Sequence, residues 1–267
     1  MSRLQTRFAE LREQKRKALI PFITAGDPSA EVTLELMHAL VKAGADALEL
    51  GVPFSDPVAD GPVIQKACER ALQGGMTLRK VLNLVEQFRA KDAQTPVILM
   101  GYLNPIEMLG YAQFADFASS AGVDGVLVVD MPPEESETFT QALAATSIDQ
   151  IFMLTPTSPP ERIQRVSSLA TGFIYYVSLK GVTGAATLDV DAVAAKLAQI
   201  KQYTDKPVAV GFGINSPEVA RKIAHIADAV IVGSAVVKLV EQTPETAECL
   251  VQVGEFVNSL RKAMDQV

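Results

Sequence analysis

Ala47-Leu-Glu-Leu-Gly-Val-Pro-Phe-Ser-Asp-Pro-Val-Ala-Asp-Gly-Pro62 begins as a buried strand and breaks, at Gly51 and Pro53, into a polar loop. The strand is apolar except for one carboxylate, Glu49. Period-two alternation sets Ala47, Glu49 and Gly51 on one face and Leu48 and Leu50 on the other. With the leucines turned to covering helices, Glu49 points into whatever the strand encloses. An acid buried there is costly unless it is paired or kept neutral. The loop supplies a second acid, Asp60, on the approach to the same place. Two carboxylates in unlike surroundings are the usual material of acid–base chemistry.

The same unit recurs along the chain. Apolar runs occur at 18–24 (ALIPFIT), 46–50, 96–102 (PVILMGY), 125–130 (GVLVVD), 150–154, 173–178 (FIYYVS), 207–210 (PVAV) and 229–232 (AVIV). Helical spacing separates them: one stretch opens at Ser29, and others cover about 63–73, 77–91, 134–144, 160–169, 189–201 and 217–226. Another follows the third run to about 120, and a long last helix covers about 245–264. Continuous apolar runs mark parallel strands covered on both faces. Eight of them, with no dinucleotide fingerprint after the first, predict an α/β fold: a closed (β/α)8 TIM barrel rather than an open sheet. Leu4, Phe8 and Leu11 add an amphipathic N-terminal helix over 2–14. No linker divides the chain, so residues 1–267 read as a single domain.

Composition narrows the function. A net charge of −7 without a basic stripe argues against nucleic acid. No apolar run approaches the roughly 20 residues of a membrane helix. No secretory signal is visible, and Cys68 and Cys249 form no disulfide framework, so a cytoplasmic protein is expected. His38 and His225 both sit in helical segments, and no metal site is expected.

In such a barrel the chemistry belongs at the C-terminal ends of the strands. Glu49 and Asp60 both fall there. Gly211-Phe-Gly-Ile214 after the seventh strand and Gly233-Ser-Ala235 after the eighth suit a phosphate site, with Ser234 as a capping hydroxyl. Gly181-Val-Thr-Gly184 after the sixth strand extends that rim. Phe22, Met100, Tyr102, Leu127, Tyr175 and Phe212 supply an apolar lining. Carboxylates on one side and an anion site on the other suit a flat apolar group joined to a phosphate. Lys180 is the one lysine suited to a Schiff base, which keeps a phosphate-binding aldolase open as an alternative. A non-catalytic subunit that binds such a ligand and activates a partner is the other.

Pro21-Phe-Ile-Thr-Ala-Gly-Asp-Pro28, Leu48-Glu-Leu-Gly-Val-Pro-Phe-Ser-Asp-Pro57, Ala59-Asp-Gly-Pro62, Gly181-Val-Thr-Gly184 and Gly211-Phe-Gly-Ile214 closely resemble the tryptophan synthase α-subunit family, essentially end to end. The resemblance implies retro-aldol cleavage of indole-3-glycerol phosphate to indole and glyceraldehyde 3-phosphate in tryptophan biosynthesis. It implies a β-subunit partner in an α2β2 complex, which receives indole through a tunnel and holds the pyridoxal phosphate; this chain would hold no cofactor. Glu49 would be the acid–base residue, and Asp60 would face the indole N–H. Thr183 and Gly184 would close over the substrate, while Gly213, Gly233 and Ser234 would hold the phosphate. The six apolar residues would frame the indole. Asp56, Pro57, Asn104 and Pro132 would meet the β subunit. Leu179-Lys180 departs from the Arg-Ala common before the sixth loop, and Met100 replaces a common Leu.

Overall fold

Eight short strands enclose the centre of the protein in a computed structural model that describes residues 2–178, 189–211, 213–243 and 245–267. They are β1 (Ala18–Thr24), β2 (Leu48–Gly51), β3 (Val97–Gly101), β4 (Gly125–Val128), β5 (Asp149–Leu154), β6 (Ile174–Val177), β7 (Val208–Gly211) and β8 (Ala229–Val232). Each pairs in parallel with the next, and β8 returns to β1 to close the barrel. The early helices are α1 (Arg3–Glu13), α2 (Ala30–Lys42), α3 (Pro62–Gln73), α4 (Leu78–Arg89), α5 (Leu103–Leu109) and α6 (Tyr111–Ala121). The later ones are α7 (Glu137–Leu143), α8 (Pro160–Leu169), α9 (Val190–Lys201), α10 (Pro217–Ala224), α11 (Ser234–Gln242) and α12 (Thr246–Met264).

Alternation works as the strand pattern requires. Leu48 and Leu50 pack outward into the layer between barrel and helices, whereas Ala47 belongs to the interior with Ala18, Ile20, Ile98 and Ile151. Leu4, Phe8 and Leu11 of α1 enter that same interior cluster, so the helix stops the N-terminal mouth of the barrel. Full burial of such side chains stabilises by about 1.5–3 kcal/mol each.

Carboxylates secure this end. Asp46, just before β2, accepts from Leu19 N of β1 at 3.0 Å; Asp124, before β4, accepts from Val97 N of β3 at 2.8 Å; Asp228, before β8, accepts from Val208 N of β7 at 2.8 Å. Before β6 the hydroxyl of Thr171 does the same for Gln150 N of β5. Arginines complete the shell: Arg7 and Arg261 on Asp46, Arg3 and Arg89 on Asp124. Asp149 accepts from Ser2 and Gln5, which ties α1 down.

Beyond small shifts at element ends, the architecture departs from the sequence reading in three places. Asp46 lies outside the second strand, because its side chain is bonded across to β1 and to α1. The helix expected through about 120 is two helices, broken at Gly110, whose φ of 90° ends α5. For the nine residues of α11 a capping position at Ser234 was expected but no helical span. Val236, Val237 and Val240 bury against the barrel there, and burial outweighs the weak helix preference of valine.

Candidate active site

The C-terminal end of the barrel treats its acids differently. Glu49 is 1% exposed, and its Oε1 has no hydrogen-bond partner. Burial, reinforced by the charge of Asp60, pushes its pKa from 4.5 to about 8. Glu49 therefore keeps its proton at neutral pH.

Asp60 is held by its loop and its neighbours. Its backbone N donates to Pro57 O at 3.0 Å, and its carbonyl accepts from Gln65 Nε2 of α3 at 2.8 Å. Tyr102 Oη accepts from Ala59 N at 3.0 Å and donates to Asp60 Oδ2 at 2.9 Å. The ring of Phe54 stacks on that of Tyr102 at 5.3 Å. Burial raises the pKa of Asp60, and the Tyr102 hydrogen bond opposes the rise.

Glu49 and Asp60 share one cavity of about 330 Å³. Of the residues expected around it, Phe22, Met100, Tyr175, Gly213, Gly233 and Ser234 line it. Tyr102 and Leu127 stand outside the wall. Tyr102 is turned to Asp60, and Leu127 packs inside the barrel with Ile98 and Ile151. Thr183, Gly184 and Phe212, with Lys180, lie outside the described residues. Val63, Ile64, Ile214 and Ile231, which were missed, complete the wall together with Gly61 and Pro62. The signal for the first two was present: two apolar residues in the first turn of a helix at the open end of a barrel have no helix to pack on. Gly211 makes room for the site, since a Cβ there would sit 2.2 Å from Tyr175 Oη.

At the far wall Gly213 has φ 76°, a conformation that favours glycine. Gly233 is the N-cap of α11, and Ser234 its first residue, so Ser234 is not the capping side chain. The opening N–H groups of that helix have no intrahelical acceptor and face an anion favourably. The expected partner residues Asp56, Pro57, Asn104 and Pro132 follow β2, β3 and β4 at this same end; Asp56 and Asn104 are exposed. Val58 and Met108, more than four-fifths exposed, flank them in sequence. Larger grooves of about 780 and 490 Å³ lie at the opposite end beside α1. Asp46 and Asp228 on their walls are already ion-paired, which leaves no buried acid free for chemistry. The ring of His38 packs tilted against Phe88, and neither histidine lines the cavity. No helix among the described residues is long and apolar enough to cross a membrane.

Known proteins share this architecture. The sequence profile described as tryptophan synthase alpha chain matches residues 8–265. The tryptophan synthase alpha chain of Nitrosococcus oceani is 59% identical over 266 residues, covering 99% of this chain and 98% of its own length. That of Thioalkalivibrio sulfidiphilus is 58% identical over 268 residues, covering 99% and 100%. The crystal structure of tryptophan synthase subunit alpha from Legionella pneumophila superposes with a TM-score of 0.93 at 44% identity, with both chains covered in full. A chain of the tryptophan synthase complex from Pyrococcus furiosus superposes at 0.82 with 37% identity, covering 92% of this chain and 98% of that one. By profile, by identity over nearly its whole length and by fold, this chain belongs to the tryptophan synthase alpha chain family.

Proposed function

We propose that Glu49 and Asp60 carry out, in this chain, the retro-aldol cleavage of indole-3-glycerol phosphate to indole and glyceraldehyde 3-phosphate. The chain is a lyase-type subunit of tryptophan biosynthesis that works with a β subunit. The observation that carries the residue assignment is Glu49: a buried carboxyl with one oxygen unpartnered, beside Asp60, in a cavity whose other wall is the start of α11.

Protonated Glu49 gives its proton to indole C3, and the ring becomes an indolenine with positive charge at nitrogen. Asp60, held as an acceptor by Tyr102, takes the indole N–H and stabilises that charge. Glu49, now a carboxylate, removes the proton from the hydroxyl on the carbon attached to C3. The bond between C3 and that carbon breaks. Its electron pair restores the indole, and the carbon leaves as the aldehyde of glyceraldehyde 3-phosphate. Glu49 ends protonated, as it began.

Phe22, Met100, Tyr175, Val63, Ile64 and Ile231 give the ring an apolar bed, while Gly213, Gly233 and Ser234 bind the phosphate. In this reading residues 1–267 act as one barrel domain within an α2β2 assembly. Asp56, Pro57, Asn104 and Pro132 meet the β subunit, and the pyridoxal phosphate of the assembly belongs to that partner.

The test is indole release from indole-3-glycerol phosphate by the purified chain, with and without β subunit. Slow release alone and faster release with the partner are expected. No release from the folded chain in either condition would leave only a ligand-binding subunit. An adduct trapped by borohydride with substrate present would favour the aldolase.

A further inference from the structure

Two helices frame the cavity, and one ion-pair cluster joins them away from it. On α3, Val63, Ala67 and Arg70 recur at i, i+4 and i+7; on α11, Ser234, Val237 and Glu241 recur at i, i+3 and i+7. Each set forms one stripe along its helix. Val63 and Ser234 line the cavity, and Ala67 and Val237 pack in one small cluster against Phe22. At the far end of the stripes Arg70 Nη1 meets Glu241 Oε1 at 2.9 Å. The other two nitrogens of Arg70 grip Asp27 in the loop after β1, at 2.7 and 2.9 Å, and the Asp27 carboxylate is 2% exposed. Seven residues at 1.5 Å each put this junction roughly 10 Å along the helices from the cavity.

The two helices carry opposite ends of the site. Asp60 lies two residues before α3 and is tied to it through Gln65, so it moves with that helix. Gly233 and Ser234 begin α11. We propose that Arg70 is a positioning residue which, by binding Asp27 and Glu241 together, sets the distance between the indole-facing carboxylate and the phosphate end of the cavity. The inference rests on the indole and phosphate assignment made above. Its consequence is selective: a ligand that touches one end is indifferent to the spacing, and a ligand that spans both ends is not. Misplacement of about 1 Å by a remote change is enough to cost up to ~100-fold in rate.

Calorimetric affinities for three probes test this: indole for one end, glycerol 3-phosphate for the other, and indole-3-propanol phosphate, which spans both and lacks the hydroxyls needed for cleavage. Arg70→Lys keeps the charge and loses the fork. It should weaken the spanning probe by ~10-fold and each fragment by less than ~2-fold, with kcat lowered more than KM is raised. Glu241→Gln, which leaves the Asp27 grip intact, should show the same selectivity at about 3-fold, and it carries the comparison if Arg70→Lys does not fold. Fragments and spanning probe weakening together would mean general loss of structure and overturn the proposal. Unchanged affinity for all three would overturn it as well. Wild-type protein that neither binds the spanning probe nor cleaves indole-3-glycerol phosphate would instead remove the functional reading, and the inference with it.

Discussion

Asp46 and Glu49 are three residues apart, and both are almost wholly buried. Asp46, at the N-terminal end of the barrel, accepts from Leu19 N and from Arg7 and Arg261 at 2.8–3.0 Å. Glu49 has an oxygen with no partner and a carboxylate neighbour. Both would be costly to bury alone. The first is neutralised by partners and fastens β1, β2, α1 and α12 together. The second is neutralised by its own proton, which it is then able to give away. One end of the barrel uses its acid for stability, and the other keeps its acid for chemistry.

That contrast is open to attack from both sides. The largest effect is expected from Glu49→Gln, which should lower the cleavage rate by about 10³–10⁴-fold while the ligand still binds. Single-turnover indole release measures it, and a rate near wild type would strip Glu49 of its role. Asp46→Ala should do the reverse. It removes the buried charge partner of the Arg261 guanidinium and leaves it only Asp265 at the surface, at about 3–5 kcal/mol in urea unfolding. Activity per folded molecule should hold, and a selective rate loss would show that the two ends are not separable.

The pH dependence of stability sharpens the comparison. Glu49 ionises near pH 8 in the folded chain against 4.5 when unfolded. Its contribution is therefore fully present below pH 4.5 and is lost as pH rises through about 8. Glu49→Gln stays neutral throughout. Its unfolding free energy should gain on wild type across that window, by at most about 1.4 kcal/mol per pH unit. Parallel curves would mean that Glu49 ionises normally.

Next comes Asp60→Asn, with about 100-fold loss of kcat expected from removal of the charge that faces the indolenine. Tyr102→Phe is the mildest. It removes the bond that orients Asp60, with about 10-fold loss of kcat/KM and a change in stability of only about 1 kcal/mol. Equal losses in rate and stability would make Tyr102 a packing residue only.

Much of this was legible in the chain. Eight apolar runs alternating with helices specify the barrel because parallel strands covered on both faces leave no polar alternation. Glu49 stands out as the one acid in the interior of such a run, where Asp46 and Asp130 stand only at run ends, and Asp60 as an acid on the next loop. Tyr102 was legible only as an aromatic in the third apolar run, expected to line the pocket and not to hold Asp60. Its turn toward Asp60 depends on Phe54 and Ala59, which come from another loop. The extent of α11 was hidden because its valines carry a strand-like preference, and only burial against the barrel overrides it.

Period-two alternation is a local property, so the sequence by itself determined that Glu49 turns away from its leucine neighbours and into the barrel. Its charge state is not local. Asp46 and Glu49 are both acids beside an apolar strand, and nothing in their immediate neighbours separates them. Arg7, Arg261 and Leu19 reach one from distant parts of the chain, while Asp60, Tyr175 and an apolar wall reach the other. Solvation and pairing depend on distances in three dimensions, so only the tertiary structure decided which carboxylate binds the fold together and which holds a proton for the substrate.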